Sequence, residues 1–141
     1  MAQYIMRHLV VLSSVNAVKV DSCGIYAKSG MPMTQEARVA LKELGIKPRF
    51  KTKEISRQLV DNADLIICLT AEIKVEVATK FNCLEKTRTF SEFGGQNVSD
   101  PYGLGGAQYR KTAGIIFDDC VKVIQVLLKN KLVKIKSTNN R

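Results

Sequence analysis

An almost unbroken apolar run from Asp64 to Leu69 limits the possible folds of this chain more than any other feature. A parallel strand that is covered on both faces reads as a continuous apolar run, whereas a strand with one wet face alternates apolar and polar residues. Thr70 follows directly and is typical of a helix N-cap. The helix that it begins would turn Ile73, Val77, Ala78 and Phe81 inward. The run therefore predicts a buried parallel strand that is followed by a helix.

The rest of the chain also alternates between helical and extended patterns. Four further helices are predicted. The first lies at the N-terminus and has an apolar face of Ala2, Ile5, Met6, Leu9 and Val10. The second lies between the cap Thr34 and the stop Gly45, and the others cover 56–63 and 107–129. Strands are predicted over 17–22 and 87–90. Because strands alternate with helices, we predict an α/β fold with a doubly wound parallel sheet and helices on both faces. Residues 1–129 would form one domain and residues 130–141 a basic tail.

The positive charge is unevenly placed along the chain. The net charge is +9, and the last thirteen residues contribute five of these charges without any acid, through Lys129, Lys131, Lys134, Lys136 and Arg141. A nucleic-acid-binding domain more often carries its charge on a folded face with interleaved aromatic residues. This pattern favours a solvated tail, so we predict no nucleic-acid partner.

The apolar segments are too short for a membrane protein. No run approaches the 18 or so apolar residues of a membrane span, so no membrane partner is predicted. Near the N-terminus, Arg7 and His8 limit the apolar stretch to Leu9–Leu12, which is shorter than the apolar region of a signal peptide. We therefore predict a cytoplasmic protein.

The cysteines predict packing rather than metal or redox chemistry. Cys23, Cys68, Cys83 and Cys120 have neither zinc-type nor redox-type spacing. Three of them lie in apolar surroundings and are predicted to be reduced core residues, whereas Cys83 lies at a predicted helix end. We predict no metal and no cofactor.

Several short segments, taken in order and with their spacing, resemble one enzyme family. They are Ser22–Tyr26, Arg38–Gly45, Ala63–Thr70, Asp100–Pro101 and Tyr109–Thr112. Together they are similar to the low-molecular-weight protein tyrosine phosphatases, from Met1 to about Leu128. The resemblance implies a four-stranded sheet in the order 2-1-3-4 and a protein substrate that carries phosphotyrosine or phosphoarginine.

The resemblance also implies a phosphate-binding loop, Cys-x5-Arg-Ser-Pro, between the first strand and the first helix of the family. Met1–Ala2 resembles the opening of that first helix, so the strand and loop would precede it. The residues six positions after the four cysteines are Ser29, Lys74, Thr89 and Val126, and none is arginine. We therefore expect the chain as numbered to lack the nucleophile loop and to be inactive.

The remaining site residues are assigned through the resemblance. It implies that a cysteine thiolate forms a phosphocysteine and that Asp100 acts as general acid and then as general base. It also implies that Tyr26 and Tyr102 flank the leaving group. Without the resemblance, Asp100 before a proline is an ordinary turn residue and the two tyrosines could be packing aromatics.

Two further alternatives stay open. The chain could be a non-catalytic descendant of the family that binds phosphate or a partner without hydrolysis. In addition, Lys131–Lys136 could run as a strand that fills the place of the missing first strand, although this would bury Lys134. An arsenate reductase is disfavoured because no cysteine relay lies near Asp100. The sequence gives no oligomeric state.

Overall fold

The computed structural model describes the backbone of residues 1–15 and 17–139, and the side chains of these residues up to Asn130. The helices are α1 (Ala2–Leu12), α2 (Gln35–Glu43), α3 (Arg57–Asn62), α4 (Ala71–Phe81) and α5 (Gly105–Asn139), the strands are β1 (Ile66–Cys68) and β2 (Thr87–Thr89), and two short 3-10 turns cover Leu84–Lys86 and Phe90–Phe93.

The predicted strand and crossover helix between residues 64 and 90 are confirmed. β1 and β2 pair in parallel, with Ile67 opposite Arg88, and α4 connects them. Thr70 caps α4 by accepting a hydrogen bond from the backbone N–H of Ile73. Asn82 ends α4 with a left-handed backbone, φ 50°, a conformation in which asparagine is a common residue.

Helices cover both faces of this small sheet, as predicted. Ile67 and Leu69 pack against a large core that α1, α2 and α5 build, whereas Ile66 packs against a smaller cluster that includes Val60 and Val77. Alternate residues of a strand point to opposite faces. β1 is therefore covered by α3 and α4 on one side and by the other helices on its second side.

The strand predicted over 17–22 is not formed, so the described sheet has two strands instead of the three that were expected without the first strand of the family. Val18, Val20 and Ser22 are half-buried and the residues between them are exposed, which is the alternation of a strand. However, a strand exists only where a neighbour completes its hydrogen-bond ladder. In the described part of the chain, residues 17–22 have no such ladder, and a single parallel bridge follows them, between Gly24 and Glu54.

The last helix runs ten residues further than predicted. Its buried face contains Ile116, Cys120 and Val123, as the periodicity indicated. The backbone stays helical to Asn139, so Lys131–Lys136 is not a strand, and the boundary predicted at 129/130 falls inside α5. Among the described residues, no helix is both long and apolar enough to cross a membrane.

Candidate active site

The candidate site lies at the carboxyl edge of the two strands, where the loops of an open α/β sheet usually bind ligands. A glycine-rich loop over 94–104 connects the 3-10 turn after β2 to α5. Within it, the backbone N–H of Val98 donates to the carbonyl of Leu69, at 2.8 Å. Because Leu69 directly follows β1, this bond holds Asp100, two residues further on, near the end of that strand.

A buried carboxylate anchors the start of the same loop. Asp119 on α5 is 1% exposed, and its Oδ2 accepts from the backbone N–H of Gln96 at 3.2 Å. Lys122 Nζ lies 3.4 Å from its Oδ1. A Cβ atom at Gly95 would lie 2.7 Å from Asp119 Cγ and 2.9 Å from the carbonyl oxygen of Phe90. Only glycine fits there, and the loop position is therefore set by the core.

Sequence reasoning did not identify Asp119 as part of the site. Its signal was present, because Asp119 lies three residues after Ile116 and four before Val123, on the inward face of α5. An acid on an apolar stripe needs a hydrogen-bonding partner. Here the partner is a loop N–H 23 positions away, which no local pattern predicts.

Asp100 is exposed and caps its own turn. Its Oδ1 accepts from the backbone N–H of Tyr102 at 3.1 Å. Its Oδ2 takes part in no hydrogen bond with any residue that the structure describes. The turn interpretation and the acid interpretation of Asp100 are therefore compatible, since one oxygen fixes the turn while the other faces solvent.

The structure keeps the two candidate tyrosines at the surface. Tyr102 is 74% exposed and Tyr26 is 86% exposed, which excludes core packing for both rings. The Tyr26 hydroxyl donates to Glu76 Oε1 on α4 at 2.6 Å, and this bond raises the pKa of Tyr26. Tyr102 is bonded to Asp100 through its backbone, whereas Tyr26 is held by α4.

Three of the four cysteines, Cys23, Cys68 and Cys120, have a raised thiol pKa. Burial raises the pKa of Cys68 to about 11 and that of Cys120 to about 12. Cys23 is exposed, and partial desolvation together with Asp21 raises the pKa of its thiol. Cys68 and Cys120 are buried as predicted, and Cys83 is buried as well, but the core position predicted for Cys23 is wrong because that residue is exposed. A nucleophilic cysteine needs a lowered pKa, so the three thiols with raised pKa values are not poised for attack.

The described side chains give no metal site either. Across residues 1–15 and 17–130, no three His, Cys, Asp or Glu side chains gather closely enough to hold a metal ion.

Comparison with known proteins decides the family. Residues 1–134 match the sequence family described as low molecular weight phosphotyrosine protein phosphatase. The chain belongs to this family. A curated relative, the protein-arginine-phosphatase of Geobacillus stearothermophilus, is 27% identical over 90 residues. That match covers 61% of this chain and 61% of the relative.

Solved structures of this phosphatase family have the same fold. The YwlE arginine phosphatase from Geobacillus stearothermophilus superposes with a TM-score of 0.86 at 22% identity, over 93% of this chain and 85% of that one. The low molecular weight protein tyrosine phosphatase from T. tengcongensis gives a TM-score of 0.80 at 27% identity, over 88% and 87%. A YwlE mutant with a phosphorylated active-site serine in place of cysteine gives 0.86 at 25%, over 91% and 86%.

Proposed function

We propose that this chain is the scaffold of a protein phosphatase that removes phosphoryl groups from phosphotyrosine or phosphoarginine through a phosphocysteine intermediate. The observation that carries the proposal is the position of Asp100. It lies on an exposed turn at the carboxyl edge of β1, and the Val98–Leu69 bond and the buried Asp119 hold its loop. A carboxylate with one free oxygen beside a ligand-binding edge is suited to proton transfer.

The proposed reaction has two steps. A cysteine thiolate attacks phosphorus while Asp100 donates its proton to the leaving oxygen or nitrogen, and the bond to the leaving group breaks. Asp100 then removes a proton from water, the resulting hydroxide attacks phosphorus, and the thiolate is released with inorganic phosphate. Tyr26 and Tyr102 would flank the leaving group of the substrate. The relative with a phosphorylated serine in place of its active-site cysteine supports attack on phosphorus at that position.

No cysteine of the numbered chain is proposed as the nucleophile. The cysteine spacing contains no Cys-x5-Arg, and the pKa is raised for Cys23, Cys68 and Cys120. Residues 1–141 alone would therefore be inactive. The same observation favours the second candidate, a non-catalytic descendant that binds phosphate or a partner.

Phosphoarginine is the substrate to test first. The curated relative and the solved YwlE structures are named arginine phosphatases, whereas another solved relative is named a tyrosine phosphatase. A cytoplasmic location also stays a proposal.

Activity of two proteins tests the function. We expect residues 1–141 to show no turnover of p-nitrophenyl phosphate, because a missing covalent nucleophile removes the reaction route. A chimera that carries a family strand and Cys-x5-Arg loop ahead of Met1 should turn over substrate, at about 1–10³ s⁻¹. Turnover by residues 1–141 at such rates would contradict the assigned roles, and a folded but inactive chimera would favour the binding protein.

A further inference from the structure

A basic cleft lies on the flank of α1, and none of its lining residues belongs to the candidate active site. Its volume is about 660 Å³. It is lined by Gln3, Tyr4 and Arg7 of α1, by Met33 and Arg38, and by Pro48, Arg49, Phe50, Lys51 and Lys53. Five of these ten residues are cationic and none is acidic. The volume lies within the range of about 300–1,000 Å³ that is typical of small-molecule sites.

The charges of the cleft are mostly left uncompensated. Within the part of the chain whose side chains are described, six ion pairs form, and of the five cleft cations only Lys53 takes part in one, with Asp21 at 2.6 Å. Elsewhere, Lys74 and Arg110 find carboxylates at 2.8 Å. Clustered cations without counterions repel one another, so an anionic ligand would stabilise this arrangement.

Neutral acceptors hold two of the three cleft arginines in place, Arg7 and Arg38. The Nε of Arg7 donates to the carbonyl of Val20 at 2.8 Å. In the amide orientation that satisfies both of its neighbours, Gln3 donates to Ser22 and its oxygen accepts from Arg7 Nη2 at 2.7 Å. Arg38 Nη2 donates to the carbonyl of Met33. These bonds order the guanidinium groups without neutralising them, which is what an anion site requires.

The floor of the cleft is apolar and aromatic. Tyr4 and Phe50 meet edge to face with ring centroids 6.3 Å apart, and both are half-buried. The Tyr4 hydroxyl accepts from the backbone N–H of Arg49, which fixes the 48–53 segment against α1. Met33 and Pro48 are half-buried beside them. A ligand that fills the cleft would therefore place an organic part on this floor and its charges on the rim.

We propose that the basic cleft binds a compact anion of the nucleoside polyphosphate class, with its phosphate groups on the cations and its ring system against Tyr4 and Phe50. The five cations surround one concavity, which suits several phosphates on a small molecule. Single-stranded nucleic acid prefers an extended groove with successive stacking platforms. An acidic peptide supplies charge without a planar ring for the floor.

Calorimetric titration of ATP into the 141-residue chain, at physiological salt, tests the proposal. We expect saturable 1:1 binding. The double variant Arg38→Gln/Lys51→Gln should raise Kd about tenfold or more, because removal of one charge-assisted hydrogen bond already weakens binding by at least that factor. Both residues are exposed, so the fold should survive. The control Lys134→Gln/Lys136→Gln removes the same charge from the C-terminal segment and should change Kd by less than about twofold.

Other probes separate the contributions of phosphate and ring. Inorganic triphosphate should bind more weakly than ATP, and Phe50→Leu should weaken ATP but not triphosphate. An equal rise in Kd for the cleft and control variants would show non-specific attraction and overturn the proposal. Equal affinity for triphosphate and ATP would overturn the proposal that the ligand carries a ring system. An acidic peptide or a single-stranded oligonucleotide that binds at least about tenfold tighter than ATP would overturn the small-molecule assignment.

Discussion

The loop over 94–104 and the extended segment over 17–23 differ in what holds them. The loop is fixed by buried groups, through the Asp119–Gln96 bond and the Val98–Leu69 bond. The extended segment has the alternating burial of a strand, but among the described residues its nearest backbone pairing is a bridge just past its end, where Gly24 lies opposite Glu54. Side-chain bonds hold it otherwise, such as the one from Arg7 to the carbonyl of Val20. Contacts within the described residues are therefore enough to fix the loop. The extended segment has the shape of a strand but, in the described chain, no neighbouring strand to which it is hydrogen-bonded.

This difference separates the two parts of the proposed site. Asp100 belongs to the anchored loop, so the acid is preorganised by the fold. Tyr26 follows the extended segment and is held by an exposed hydrogen bond to Glu76. We therefore expect the loop with Asp100 to contribute more to the reaction rate than Tyr26. We expect the position of the extended segment to change more than that of the loop when a neighbouring strand pairs with it.

The largest expected effect tests Asp100 directly. In the chimera with a restored Cys-x5-Arg loop, Asp100→Asn should lower kcat about 10²–10⁴-fold, because asparagine keeps the turn but cannot donate the proton. Phosphate binding should be nearly unchanged. Asp118→Asn, an exposed carboxylate on α5, is the matched control. An unchanged rate for Asp100→Asn would return this residue to a turn role only.

The next effect tests the anchor of the loop. Gly95→Ala would place a methyl group 2.7 Å from Asp119 Cγ and 2.9 Å from a backbone carbonyl, so we expect a loss of about 1–3 kcal/mol. That corresponds to a Tm lower by about 3–10 °C in a domain of this size. Gly114→Ala is the control, since no atom lies within 4 Å and alanine favours the helix by about 0.5–1 kcal/mol. Equal Tm values for the two variants would show that the loop is not packed against Asp119.

A smaller, pH-dependent effect tests the turn that leads into the loop. Lys74 Nζ lies 2.8 Å from Glu92, and hydrogen bonds from Lys74 and from the backbone of Thr89 lower the pKa of Glu92. A lowered folded-state pKa stabilises the fold above the unfolded value, about 4.3, and this contribution is lost as the pH falls through the folded value.

The variant Glu92→Gln should therefore have a lower Tm than wild type near pH 7, and the difference should close below about pH 4. Glu85→Gln serves as control because the Glu85 carboxylate makes no ion pair within the described side chains. A Tm difference that stays constant with pH would show that charge is not the source.

The features that the sequence predicted correctly depend on neighbours a few residues away. Thr34 and Thr70 cap their helices, and Gly45 ends α2 with φ 76° while the backbone N–H of Ile46 bonds back to Leu41. Each of these follows from residue type and short spacing. The β1 strand could be predicted in the same way, because its apolar run does not depend on which neighbour pairs with it.

The features that could not be predicted join distant segments. Asp119 meets a loop 23 positions away, and the cleft brings Tyr4 to Arg49, 45 positions apart. The 17–22 stretch shows the opposite failure, because its alternation is that of a strand while its pairing depends on a partner elsewhere. Periodicity indicates which side of an element is buried but not what covers it.

The smallest expected effect concerns the open side of β1. The sequence left open that Lys131–Lys136 runs as a strand beside it, but the backbone there is helical. Deleting residues 130–141 would then remove no sheet hydrogen bond from the described backbone, and we expect Tm to stay within about 1–2 °C of the full chain. A matched variant with Lys131, Lys134 and Lys136 changed to serine separates the effect of charge from the effect of chain length. Unfolding of the deletion variant, with the serine variant still folded, would show that the C-terminal segment covers the sheet after all. If both variants have the same Tm as the full chain, the C-terminal segment does not stabilise the unpaired edges of the 17–23 segment and of β1.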